Sequence, residues 1–167
     1  MIRLAVLSDA AAIATIHVQT WQSAYQDLLP AGFLAGLSIS KRTEYWSAEL
    51  QQTRSRVLVF EKDSQLLGWI SAGPGRDPDA TDTQEVYALY VKPEEQRAGI
   101  GTQLLRAVEN DLPASVDLTL WVLAENREAL AFYQARDYAR DGLRRETTIG
   151  GSVVTEMRLR KSRIQVP

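Results

Sequence analysis

The chain has 167 residues, 45% of them hydrophobic and 24% charged, with a formal net charge of −2. That length suits one domain with a real core, and the near-balanced charge argues against a nucleic-acid partner. With no cysteine and a single histidine, His17, disulfides, thiolate metal sites and a covalent cysteine intermediate are excluded, and a histidine-based metal site lacks ligands.

No apolar run approaches the ~20 residues that span a bilayer, so no membrane partner is expected. The start, residues 1–7, is short and alternating and lacks the apolar region and cleavage site of a signal peptide. The expected compartment is cytoplasmic.

Residues 1–7 read as an edge strand. Ser8 or Asp9 suits the N-cap of a helix from about Ala10. Ile13, Ile16, Thr20, Trp21, Ala24 and Leu28 recur at helical spacing and give that helix a buried face. Leu29-Pro30 ends it, and 33–37 is a short turn or helix. Ser40 is the expected cap of a second helix over 41–52, with Trp46 and Leu50 on its apolar side. Residues 56–61 and 66–71 read as a hairpin around Lys62-Asp63-Ser64-Gln65. A loop rich in Gly, Pro and Asp covers 73–84.

The strand 85–91 is mostly β-branched, aromatic or aliphatic, and Pro93 stops it. Gln96-Arg97-Ala98-Gly99-Ile100-Gly101-Thr102 then runs into a helical pattern at Ile100, Leu104, Leu105 and Val108. A glycine-bearing turn that opens a helix offers free N–H groups at the positive end of the helix dipole, a setting that binds phosphate. The two glycines alone fit a plain strand-to-helix turn equally. The turn is neither a Walker loop nor a Rossmann fingerprint, because the Gly-Lys-Ser/Thr ending and the third glycine are missing. Leu112-Pro113 breaks the helix, 116–122 is the next strand, and Asn126 begins a helix to about Arg136. Residues 143–149 and 152–160 flank Gly150-Gly151, a two-residue hairpin signal. The polar end, 161–167, is expected to fray. One domain over 1–161 with a tail over 162–167 is therefore the expected organisation.

The string from Gln96 to Gly101 resembles the Gln/Arg-x-x-Gly-x-Gly/Ala motif of the GNAT superfamily of N-acetyltransferases. Gln96, Gly99 and Gly101 match its fixed positions, and Leu89-Tyr90-Val91 resembles that family's fourth strand. The element order also matches, from residue 1 to 161. The implied fold is α/β (α+β): a mixed, mostly antiparallel twisted sheet of about seven strands, with two helices before and two after the central strands. His17-Val18-x-x-Trp21-x-x-x-Tyr25 and Leu28-Leu29-Pro30 look like a common bacterial subgroup.

The resemblance implies acetyl-CoA as cosubstrate and no metal. The N–H groups of Arg97, Ala98, Gly99, Ile100, Gly101 and Thr102 would surround its pyrophosphate, next to Gln96. Leu89, Tyr90 and Val91 would run along the pantetheine arm, with the Leu89 N–H facing the thioester oxygen. Asn126 is a good N-cap by residue type and, by resemblance, a contact to the same arm. Tyr133 falls in a pattern like the family's Asn-x-x-Ala-x-x-Phe-Tyr, which makes it the implied general acid. A phenol of pKa about 10 can donate to a departing thiolate of pKa about 8.5 when well placed. Where relatives close this helix with glycine the chain has Asp137, which tolerates the left-handed conformation better than most residues.

Glu85, four residues before Leu89, is the implied base, with His17 as rival. The acceptor pocket implied by the fold lies among the first two helices and the last hairpin, with Trp21, Tyr25, Tyr87 and Glu146 as candidates. Asp77, Asp79, Asp82 and Glu85 form an acidic run opposed by Arg76 alone; at the mouth of the pocket it would favour a cationic acceptor. The expected activity is acetyl transfer to a primary amine by direct attack in a ternary complex, the acceptor being a small-molecule amine. The alternatives are a protein N-terminal or lysine acetyltransferase and a non-catalytic acyl-CoA-binding regulatory domain. By resemblance, a homodimer through the sheet edges or the last strands is also open.

Overall fold

In the computed structural model, which describes residues 1–52, 54–80 and 82–163, the chain opens with strand β1 (Ile2–Leu4) and three helices, α1 (Ala10–Ala24), α2 (Ala31–Ala35) and α3 (Ile39–Glu49). Strands β2 (Arg56–Lys62), β3 (Gln65–Pro74) and β4 (Gln84–Val91) follow, then α4 (Ile100–Asn110), β5 (Leu118–Leu123), α5 (Arg127–Gln134), β6 (Ala139–Ile149) and β7 (Ser152–Lys161). One seven-stranded sheet results, in the order β1-β2-β3-β4-β5-β7-β6. Every neighbouring pair is antiparallel except β4 with β5.

Alternation along the strands divides the core into two layers. Val57, Val59 and Trp69 face α1 and α3, where they meet Ile13, Ile16 and Trp46. Leu58, Ile70 and Val86 face the other way, onto Leu104 and Leu105 of α4. The hairpin between β2 and β3 turns at Asp63 and Ser64, both with positive φ, as a tight two-residue turn requires.

Three boundaries differ from the sequence reading. Helix α3 starts at Ile39 because Ser38, not Ser40, is its cap: the Ser38 Oγ accepts the Lys41 N–H at 3.2 Å. Strand β6 starts at Ala139 because Asp137 sits at φ +67° and turns the chain straight into the sheet. Ser162 and Arg163 are not frayed, since the Ser162 hydroxyl and the Arg163 N–H both donate to Asp117; the rest of the expected tail, 164–167, lies outside the described residues.

The feature that positions the site is a short ladder. Strands β4 and β5 pair over only three residues, Gln84 to Val86 against Leu118 to Leu120. Beyond Val86, β4 stays on β3 and β5 stays on β7, so the two strands part and leave a gap inside the sheet. A register shift against β3 between Ser71 and Ala72 leaves Tyr87 unpaired at the start of that gap. No helix among the described residues is long and apolar enough to cross a membrane.

Candidate active site

A cleft of about 1000 Å³ opens where β4 and β5 part. Its far end is the glycine turn. Gly99 caps α4 at φ +80°, a left-handed conformation that L side chains resist, and Arg97 is left-handed as well, at +65°. The turn thus delivers the first N–H groups of α4 to the cleft without intrahelical partners. Gly101 is small for a different reason: a Cβ there would stand 3.3 Å from the Phe132 ring of α5. The Gln96 amide donates to the Val91 carbonyl at 3.3 Å and ties the turn to the end of β4.

A residue that the sequence reading missed completes this end. Arg136 stacks on Phe132, its guanidinium carbon 3.8 Å from the ring centre, and donates from Nε to the Thr102 hydroxyl at 3.1 Å. A fixed cation therefore stands beside the free N–H groups. Arg136 lies just past the end of α5, and its four-residue spacing from Phe132, as along a helix, was the available signal.

Helix α5 supplies the cleft's other wall. The Asn126 Oδ1 accepts the Ala129 N–H at 3.1 Å, so Asn126 is the N-cap and its amide NH₂ remains for another partner. Tyr133 lines the cleft and is 8% exposed, wedged between Phe132 and Tyr138. Burial pushes its hydroxyl well above the ordinary tyrosine range, so it carries its proton at neutral pH. Asp137 closes the helix in the left-handed conformation, and the Tyr138 N–H donates to the Tyr133 carbonyl at 3.2 Å.

On the α1 and α3 side of the sheet lies a second cavity of about 810 Å³. Trp21, Tyr87, Ala88 and Tyr90 line both spaces, so the two adjoin along β4 and Trp21. The Trp21 indole donates to the Tyr90 hydroxyl at 2.8 Å, and Tyr25 packs edge-on against Trp21. The Tyr25 hydroxyl is pushed up, first by burial and then by the neighbouring Tyr90. Tyr87 donates to the Pro74 carbonyl at 2.6 Å and lies under the Arg76 guanidinium. Trp21, Tyr25 and Tyr87 line the cleft, and Trp21 and Tyr87 line the second cavity as well. Leu89 and Val91 face the α4 side, whereas Tyr90, expected along the cofactor, packs on the α1 side with its hydroxyl at the junction.

Other expected roles do not survive the geometry. Glu85 is 1% exposed, lines neither cavity, and its carboxylate accepts from Nε, Nη2 and the backbone N–H of Arg76. His17 lies among Trp21, Trp46, Trp69 and Tyr90; burial lowers its pKa to about 3, with Arg42 adding to the effect. Its Nδ1 accepts the Trp46 indole N–H at 3.4 Å, so neither residue is placed as a base. Glu146 is exposed on the edge strand β6, outside both cavities. Five carboxylates do line the cleft, Asp27, Glu95, Glu125, Glu128 and Glu156; Glu156 of β7 lies opposite Leu123 of β5 and pairs with Arg145 at 2.6 Å. Part of the acidic run is also engaged. Arg158, whose side chain is 3% exposed, binds Asp77, Asp79 and Asp141 at once, and Trp121 donates to Asp77. Among the described residues no group of three or more His, Asp or Glu could hold a metal ion.

Comparison with known proteins agrees with this geometry. The family model described as the acetyltransferase (GNAT) family matches residues 18–138. The chain is 29% identical over 136 residues to the uncharacterized N-acetyltransferase YuaI of Bacillus subtilis, covering 80% of this chain and 77% of that protein. It is 31% identical over 103 residues to the peptidyl-lysine N-acetyltransferase YiaC of Escherichia coli, covering 58% and 63%. Its fold is similar to the crystal structure of the PaiA N-acetyltransferase from Thermoplasma acidophilum in complex with coenzyme A. The TM-score is 0.74 at 20% identity, over 97% of this chain and 98% of that one.

Proposed function

The chain belongs to the acetyltransferase (GNAT) family, and from that premise we propose that it transfers an acetyl group from acetyl-CoA to a small primary amine by direct attack, with both substrates bound at once. The observation that supports the reading is the gap between β4 and β5, which holds a cleft lined by the glycine turn at one end and by Trp21 and Tyr25 at the other, beside an aromatic cavity.

The residues present fit the cosubstrate. Gly99 in the left-handed region, the free N–H groups at the start of α4 and the Arg136 cation suit a pyrophosphate. The stretch of β4 from Tyr87 to Val91, which has no partner on its β5 side, and the Asn126 amide suit a pantetheine arm. Bound acetyl-CoA supplies an acetyl group already activated as a thioester.

This chain's own groups do the rest. Tyr133 holds the proton that the departing sulfur needs when the carbon–sulfur bond breaks and the nitrogen–carbon bond forms. Of the carboxylates in the cleft we assign Glu156 the proton of the acceptor ammonium, taken through water and passed to solvent; the second proton that the nitrogen sheds as the amide forms restores Tyr133. The absence of cysteine leaves no obvious nucleophile for a covalent acetyl-enzyme, which favours direct attack.

Thiol release with a disulfide dye tests the reading cleanly, because the protein contributes no thiol background. Calorimetric binding of acetyl-CoA together with amine-dependent thiol release is the expected result. Release with peptide acceptors alone would move the assignment to a protein acetyltransferase. Binding without release for any amine would leave a regulatory domain.

A further inference from the structure

The cavity on the α1 and α3 side is walled by rings, among them Trp21, Tyr45, Trp46, Tyr87 and Tyr90. Such a wall suits a ligand with an apolar or aromatic body. Its charges are uneven. Glu49 is the one carboxylate in the lining, while Arg54 and Arg76 both belong to it. Arg76 is engaged with Glu85. Arg42 is in the lining of neither cavity but stands against two rings of this wall, its guanidinium carbon 5.9 Å from the Trp21 ring centre and 6.0 Å from that of Tyr45. Among the described residues Arg42 enters no ion pair.

The idle polar atoms of the same wall point to the same kind of ligand. Trp69 Nε1 and His17 Nε2 are buried without a hydrogen-bond partner, and both residues line the cavity. An indole N–H can only donate. His17 Nδ1 already accepts from Trp46, so a neutral imidazole carries its hydrogen on Nε2 and donates as well. Two unpaired donors and an unpaired guanidinium are matched by lone pairs, not by a polycation.

We infer that the acceptor carries its own oxyanion: a free amino acid, or an amine of the same form, with an apolar or aromatic side chain. Arg42 takes the carboxylate beside Trp21 and Tyr45, and the amine is directed to the junction at Trp21, Tyr87 and Tyr90. The inference names the acceptor class of the acetyl transfer proposed above and rests on that reading.

Matched pairs test it. Phenylalanine, tryptophan, leucine and methionine are each assayed beside the amine that lacks the carboxylate, by thiol release from acetyl-CoA, in the wild type and in Arg42→Gln and Arg42→Lys. The wild type is expected to prefer at least one amino acid over its decarboxylated partner at least tenfold in kcat/KM. Arg42→Gln should shrink that ratio through KM for the amino acid, and Arg42→Lys should restore part of it. Equal or better turnover of the decarboxylated amines, or a ratio that Arg42→Gln leaves unmoved, overturns the inference while acetyl transfer stands. Silence from every pair overturns the acceptor class if calorimetry still shows acetyl-CoA binding, and the acetyltransferase reading itself if it does not.

Discussion

Arg76 closes over Glu85. Its guanidinium gives Nε to Oε2 at 3.1 Å and Nη2 to Oε1 at 2.5 Å, and its own backbone N–H reaches the same carboxylate at 3.1 Å. A carboxylate with three donors and almost no exposure anchors the loop after β3; it does not take a proton from a substrate. Glu85→Gln should therefore lower stability by about 2 kcal/mol, the usual worth of hydrogen bonds to a charged group, and keep kcat within a few-fold. A thermal melt beside thiol-release kinetics separates the two effects. A steep loss of kcat in a variant that melts like the wild type would return Glu85 to the role of base.

Tyr133→Phe removes a hydroxyl at the junction of cleft and helix. Loss of a positioned general acid costs on the order of 100-fold in kcat, and the KM for acetyl-CoA should barely move. Because burial raises the pKa of this hydroxyl, its proton is retained through neutral and mildly alkaline pH. The wild-type rate should show no decline assignable to Tyr133 on going from neutral to mildly alkaline pH.

The two glycines of the turn should fail in different ways. Gly99→Val forces a β-branched residue into φ +80°, at a cost of about 1–2 kcal/mol, and distorts the turn itself. Gly101→Val drives a side chain into Phe132, on which Arg136 is stacked. Both variants should lose calorimetric binding of acetyl-CoA while keeping a cooperative melt. A variant that is already unfolded at room temperature would show that the glycine serves the fold and not the ligand.

His17 makes stability depend on acid. Its folded pKa is lowered to about 3 from an ordinary 6.5 by burial first and Arg42 second. The unfolded chain takes up the proton before the folded one does. The stabilising preference for the neutral ring is fully present above pH 6.5 and is lost progressively as pH falls toward 3. The melting temperature should drop across that window, and His17→Gln should flatten the drop. Since the chain has one histidine, its single imidazole resonance in an NMR titration should hold the neutral-form shift at pH 5 if the ring stays uncharged.

What the sequence made legible was local. The glycine turn, the Asn126 cap and Asp137 in the left-handed conformation are each decided within one turn of chain and can be read from residue type and spacing, whereas Tyr133 was singled out by the family resemblance. The hairpin at Gly150-Gly151 is of the same kind, both glycines having positive φ.

The rest was decided by partners far away in sequence. Arg136 meets Thr102 across 34 positions, and Arg158 meets Asp77 across 81. Neither contact leaves a periodic trace, so Asp77 and Asp79 read as free charge although Arg158 had already claimed them. Glu146 and Glu156 show the same limit within one hairpin. Arg145 lies opposite Glu156, and Glu146 lies opposite Thr155. One step of register puts the first glutamate against solvent and the second in the cleft. Composition could not choose between them.

The gap between β4 and β5 has a further consequence for traffic. It makes the sheet a partition with a window, and on the reading proposed above the two substrates would have separate doors, one beside α4 and one beside α3. Coenzyme and acetylated product would then not need to leave by the same route. A single inhibitor that occupied both rooms would have to thread the window, and the rings of Trp21, Tyr87 and Tyr90 set how thick its tether can be.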